Sequence, residues 1–223
     1  YWNPRANWDE LDKKEAERIN DIGKKISDAW EEAVQNMIER YLIPSQGYLL
    51  CGFSGAAQYV LRLAMNKPRY FSAVHAHVPS SFPYPNANAN SILWCVTTGE
   101  WESGYERSLK FLNAAQKQNY LIVYKAIPEL GHMGHPQATQ IGLACFDYVL
   151  SRSPWEMVHT IEFRGDVFRQ TVIMATHTLT ENCVLTDIPT YAIAKAWAGH
   201  SISNSLGRLK LTTTEQKGHS YEF

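Results

Sequence analysis

Between residues 48 and 150 the chain alternates two hydrophobic patterns. Short, nearly continuous apolar runs at 48–53, 72–77, 92–98 and 120–127 have the length of buried strands. Between them, stretches at 56–65, 105–118 and 139–150 repeat apolar residues every three or four positions, which predicts helices; in the second, Leu109, Leu112 and Ala115 share one side. The run Ile92-Leu93-Trp94-Cys95-Val96 is apolar throughout, as in strands covered on both faces. Strands alternating with helices of this length predict an α/β fold, a mostly parallel sheet with flanking crossover helices. Segment 79–90, rich in Pro, Ser and Asn, and segment 128–136, with the pairs Gly131-His132 and Gly134-His135, read as loops.

Ahead of this core, residues 8–41 predict one long helix. Ile19, Ile22, Ile26, Ala29, Ala33 and Met37 form the stripe expected to face inward, and Gly23 weakens the middle. Pro44 and Gly47 close the segment. After Pro154 the pattern weakens: 158–163 reads as a strand, 189–198 as a helix with Pro near its start, and 208–223 as a polar, mobile tail. The expected division is a core at 1–153 and a C-terminal extension at 154–223.

Composition narrows the class only a little. The 223 residues are 45% hydrophobic and 19% charged, which suits a globular chain with a sizeable core. With 21 basic and 22 acidic residues the net charge is -1, so nothing in the charge balance favours nucleic acid or an anionic membrane as partner. No apolar run approaches the roughly 20 residues that span a bilayer. Neither a secreted nor a cytoplasmic location follows. Cys51, Cys95, Cys145 and Cys183 lie far apart with no CxxC pair, which excludes zinc-ribbon and thioredoxin-like motifs. The first residue is Tyr1, not Met, so the expectation is a processed or incomplete N-terminus.

One local sequence carries chemistry. The first core strand runs into Gly52-Phe53-Ser54-Gly55-Ala56 and then into a helix. A serine hydroxyl needs a base to take its proton and donors to stabilise the oxyanion it creates. A sharp strand–turn–helix element pushes the hydroxyl out above the sheet, and small neighbours make the turn sterically possible. The backbone N–H of Gly55, at the helix N-terminus, is a natural oxyanion donor. Taken alone the pentapeptide is weak, because Ser54 could equally be a helix N-cap.

These residues resemble the nucleophile elbow of the α/β-hydrolase superfamily, with Ala56 where Gly is commoner. The resemblance extends over residues 41–150 and follows that family's order of serine, acid, histidine. Thr97-Thr98-Gly99-Glu100-Trp101-Glu102 follows the third strand, where the family places its acid, and Leu130-Gly131-His132 follows the fourth, where it places its histidine. The likeness points to the esterase, dienelactone-hydrolase and polyester-depolymerase-like branches. It implies Ser54 as nucleophile, His132 as base, Glu102 as orienting acid with Glu100 as the alternative, and no metal or organic cofactor. The implied substrate is a small-molecule or polymeric carboxylic ester, cleaved through an acyl-enzyme.

Phe53, His77, Trp101 and His135 are candidates to line the substrate site, although each could be a packed or surface side chain. His75 and His77 alternate on one strand face; with no third ligand nearby, a packed pair is the simpler reading than a zinc site. The family's early strands, and the second oxyanion donor they bring, find no counterpart here. The expectation is that a preceding segment or a second chain completes the sheet. Two other readings stay open: a binding module that keeps the scaffold without catalysis, and a peptidase of the prolyl-oligopeptidase kind.

Overall fold

The computed structural model describes residues 13–152, 161–176, 183–199, 202–205 and 208–211, with side chains over 22–152, 161–176 and 183–199. Four strands form a parallel sheet in chain order: β1 (Tyr48–Phe53), β2 (Phe71–His77), β3 (Leu93–Gly99) and β4 (Leu121–Ile127). The mostly parallel sheet with flanking helices predicted from the hydrophobic pattern is therefore what the chain forms. β3 and β4 are buried at every position, which matches their near-continuous apolar runs.

Helices cover both faces. α1 (Lys13–Tyr41), α2 (Gly55–Asn66) and α3 (Tyr105–Lys117) lie over one core, built from Leu61, Leu63, Val74, Trp94, Leu112 and Tyr124 among others. α4 (Pro136–Leu150) and α5 (Tyr191–Ala198) cover the other, around Leu93, Val123, Ile141, Cys145 and Trp197. Fully burying side chains of this size is worth about 1.5–3 kcal/mol each, so the sheet is the rigid platform for whatever its loops carry.

The long N-terminal helix corrects an expectation. Ile22, Ile26 and Met37, assigned to the inward stripe, are 42%, 44% and 46% exposed. The Ile19 side chain lies outside those described. The face turned to the sheet carries Ser27, Trp30, Val34 and Ile38 instead. Trp30 decides the matter: its ring centroid lies 5.3 Å from Tyr70, 5.0 Å from Phe71 and 6.2 Å from Tyr48. Beside it, Asp28 and Glu31 pair with Lys67, and Glu31 with Arg69. One large aromatic and a charge cluster outweigh a stripe of smaller aliphatic groups.

The C-terminal part also differs from expectation. Residues 158–160 of the strand expected at 158–163 lie outside the described residues, 161 and 162 are not in a strand, and β5 (Phe163–Asp166) starts where the expected strand was to end. β5 pairs antiparallel with β6 (Thr171–Met174) and β7 (Leu185–Ile188). The 208–211 part of the expected tail is strand β9 (Arg208–Leu211), paired with β8 (Ile202–Ser205); its Arg-Leu-Lys-Leu alternation has the period of a strand. Residues 212–223 lie outside the described ones.

This C-terminal layer shares the second core through Phe163, Val172, Ile188 and Trp197. It also satisfies the edge of β4. The Thr186 hydroxyl accepts from Tyr124 N at 2.6 Å and donates to Ile122 O at 2.8 Å, while Trp197 Nε1 donates to Tyr124 O at 2.7 Å. Side chains here do what a fifth strand would otherwise do for exposed backbone groups.

Candidate active site

All four parallel strands end on one edge of the sheet, where ligands gather in open α/β folds. Ser54 follows β1 directly. Its backbone is in a left-handed, strained conformation, φ 56° and ψ -119°, held by a hydrogen bond from its N–H to His77 O at 3.0 Å. Such a conformation costs of order 1–3 kcal/mol for a residue with a Cβ. The N-cap reading fails on geometry: the Ser54 hydroxyl makes no capping bond to α2. It faces His132 Nε2 at 2.8 Å instead.

Of the small neighbours, Gly52 is the one sterics demand. A Cβ there would lie 2.5 Å from Ala56 O, inside the backbone of the first turn of α2. At Gly55 a Cβ would meet nothing within 4 Å, so the turn itself does not require that glycine. Gly55 contributes its N–H as the first residue of α2.

His132 lies in the loop between β4 and α4, and its Nδ1 is 2.8 Å from Glu102 Oε2. With the carboxylate accepting from Nδ1–H, Nε2 is left as an acceptor toward the Ser54 hydroxyl. The acid is well enclosed, with its side chain 4% exposed, whereas the imidazole is 47% exposed. Glu102 Oε1 accepts from the Ser103 hydroxyl at 3.0 Å, so both carboxylate oxygens are held. Glu102 is fixed by a tight turn after β3, its N–H bonding Gly99 O at 3.1 Å. Glu100 spends its N–H on Ile127 O, and the carboxylate in contact with the imidazole is that of Glu102.

The acid loop and the histidine loop are laced together. Trp101 N donates to Leu130 O at 3.0 Å, and Gly99 lets that carbonyl approach: a Cβ on Gly99 would lie 2.0 Å from Leu130 O. Within the loop, Met133 N bonds Gly131 O at 3.0 Å, bending the chain tightly around His132. These backbone contacts were not visible in sequence; the position of Glu102 three residues after Gly99 was the one available hint.

The remaining candidates take different places. Phe53 is 45% exposed, with its ring 5.7 Å from both His132 and His77. Trp101 is 71% exposed on the acid loop. His135 caps α4, its Nδ1 accepting from Gln137 N at 3.2 Å ahead of Pro136. His77 is buried beneath the histidine loop, and its Nε2 lies 3.0 Å from Met133 O. Burial lowers the pKa of both His77 and His75, the latter to about 4. Among the described residues, no group of three or more His, Cys, Asp or Glu side chains is arranged to hold a metal ion.

No protein-family profile matches the chain, and no curated protein does. Solved structures do. An uncharacterized protein from Bacillus cereus aligns over 59% of this chain and 44% of its own, at 17% identity and TM-score 0.49. A ferulic acid esterase aligns over 53% and 57%, at 16% identity and TM-score 0.42. A single-site variant of Arabidopsis thaliana SOBER1 aligns over 63% and 67%, at 15% identity and TM-score 0.45. The match thus spans about half the length of the first two. TM-scores below 0.5 at such identities bear on no chemistry, and the site stands on its own distances.

Proposed function

We propose that this chain is a serine hydrolase that cleaves a carboxylic ester. The observation that carries the reading is the unbroken contact chain Ser54 Oγ–His132 Nε2 at 2.8 Å and His132 Nδ1–Glu102 Oε2 at 2.8 Å, starting from a serine held in a strained turn. That residues 78 and 30 positions apart meet within hydrogen-bond distance in this order supports the reading.

Ser54 Oγ attacks the ester carbonyl carbon while His132 takes the hydroxyl proton. The carbonyl oxygen becomes an oxyanion near the Gly55 N–H, at the positive end of α2. As the tetrahedral intermediate collapses, His132 gives the proton to the departing alcohol oxygen, leaving Ser54 acylated. Water then repeats the sequence and releases the acid. Glu102 keeps His132 in the Nδ1–H tautomer and stabilises the imidazolium between the two transfers. A second oxyanion donor would enter beside β1, at the edge of the described sheet; a strand laid there, from another segment or another chain, would bring its end to Ser54. The exposed Phe53 and Trp101 fit an apolar acyl or aromatic group at the mouth. Hydrolysis of p-nitrophenyl acetate by the protein, and its loss in Ser54→Ala, tests the proposal; equal rates for the two proteins would refute it.

A further inference from the structure

The loop that carries His132 is tied down on both sides of it. Upstream, Leu130 O accepts from Trp101 N at 3.0 Å. Downstream, Met133 O has His77 Nε2 at 3.0 Å. A carbonyl can only accept, so the Met133 contact puts a proton on His77 Nε2; the Thr97 carbonyl lies 3.3 Å from Nδ1 but already accepts from Val78 N at 2.8 Å, so Nδ1 is assigned as the acceptor of the neutral ring. The Thr97 hydroxyl, 2.9 Å from that Nδ1, is then the donor. Having used its one proton, Thr97 Oγ1 accepts from His75 Nε2 at 3.1 Å. His75 Nδ1 is left as acceptor toward Cys51 Sγ at 3.6 Å. With His77 neutral and protonated on Nε2, the chain Cys51–His75–Thr97–His77–Met133 runs in one direction.

The strand register explains why these groups meet. Phe53, His77 and Thr97 are neighbours across β1, β2 and β3, and Cys51, His75 and Cys95 form the next row. Only the first row reaches the sheet edge where the loops lie.

We propose that His77 is a positioning residue for the reaction assigned above: its Nε2–H fixes the Met133 carbonyl and so sets where the His132 imidazole points between Ser54 and Glu102. The inference rests on that reading of the site. A neutral, buried imidazole suits the task, since it offers one rigid donor without a charge beside a base that must itself become charged. Burial, and the neighbouring His135 and His132, hold the His77 pKa below its ordinary value, so it stays in this form.

The test separates the two ring nitrogens. A Gln amide nitrogen sits near the Nε2 position of His, an Asn amide near the Nδ1 position. His77→Gln keeps the bond to Met133 O, and its kcat stays within about threefold of the parent protein. His77→Asn loses that bond; kcat falls about tenfold or more with KM within about twofold, because a misaimed base acts on the chemical step. The second readout is independent of turnover: the Nδ1-bound proton of His132, shared with Glu102, gives a nuclear magnetic resonance signal that survives in His77→Gln and broadens away in His77→Asn. Equal kcat in the two variants, an unchanged His132 signal in His77→Asn, or a His77 ring protonated on Nδ1 in the parent protein overturns the proposal. If the parent protein turns over no ester, the hydrolase reading fails, while the His132 signal and the His77 tautomer still decide the positioning role. Thermal melting of both variants identifies any that fail to fold, in which case the tautomer in the parent protein decides.

Discussion

Gly99→Ala puts one methyl group where the acid loop and the histidine loop cross. Its Cβ would lie 2.0 Å from the Leu130 carbonyl oxygen and 2.6 Å from its carbon. Both are backbone atoms, so no side-chain rotation relieves the clash. Ordinary contact begins near 3.4 Å, and about 1.4 Å of backbone movement is needed to reach it. His132 is two residues beyond Leu130, and its Nε2 is 2.8 Å from Ser54 Oγ. Transmitting most of that movement takes the pair beyond hydrogen-bond reach, which ends near ~3.5 Å. A misplacement of about 1 Å in a reacting group costs roughly a hundredfold in rate, or about 2.7 kcal/mol of barrier. Overpacking adds about 1–3 kcal/mol of lost stability, seen as a fall in Tm of about 2–12 °C for a chain of this size. Ester hydrolysis and thermal melting measure the two effects. Gly131→Ala is the control: it adjoins His132, yet its Cβ meets nothing within 4 Å, so its Tm stays within about 2 °C of the parent protein. A Gly99→Ala protein with parental rate and Tm, or a Gly131→Ala protein that is damaged as badly, would refute the reasoning.

Two further predictions concern charge. Lys125 is fully enclosed, with its ammonium 3.9 Å from the Trp197 ring centroid and donating to Gln170 Oε1, and burial pushes its pKa down to about 7. Between about pH 7 and 10.5 the unfolded chain holds a proton there that the folded chain does not, so stability rises with pH across that window. Lys125→Met removes this share of the rise, and melting curves of both proteins from pH 7 to 10 that keep the same slope would contradict the assignment. At the other end, Asp28 is held at about 2 by Lys24 and Lys67, and Glu31 is lowered chiefly by Lys67 and then Tyr70. Their contribution to holding α1 is complete above the ordinary carboxylate range near ~4 and is lost as pH falls toward about 2. Glu31→Gln therefore lowers Tm at pH 7 by an amount that shrinks at low pH; a gap that stays constant would rule out the ion cluster as the cause.

The sheet and the site were legible to different depths. β1 to β4 and their helices follow from apolar runs because strands buried on both faces need apolar residues at every position. Ser54, His132 and the acid loop each follow a strand end, and it was the resemblance to the α/β-hydrolase order of serine, acid and histidine that singled them out. The inward face of α1 was not legible, because the helix carries two apolar stripes and sequence periodicity does not weigh Trp30 against several isoleucines. β5, β6 and β7 have four residues each and include Arg, Gly, Asp and Thr, too short and too mixed for a period to show. The crossing at Gly99 and the grip of the His77 side chain on Met133 O join the ends of strands to the backbone of the histidine loop, and a pattern of apolar and polar positions carries no trace of which carbonyl comes near.

The strained backbone of Ser54 and its contact with His132 make one measurement decisive. The folded protein is treated with a fluorophosphonate, digested, and mapped by mass spectrometry alongside Ser54→Ala and His132→Ala. The account predicts a single phosphonyl adduct on Ser54, absent from Ser54→Ala and formed at least about a hundredfold more slowly in His132→Ala. An unlabelled Ser54, or labelling that proceeds equally well without His132, would contradict it.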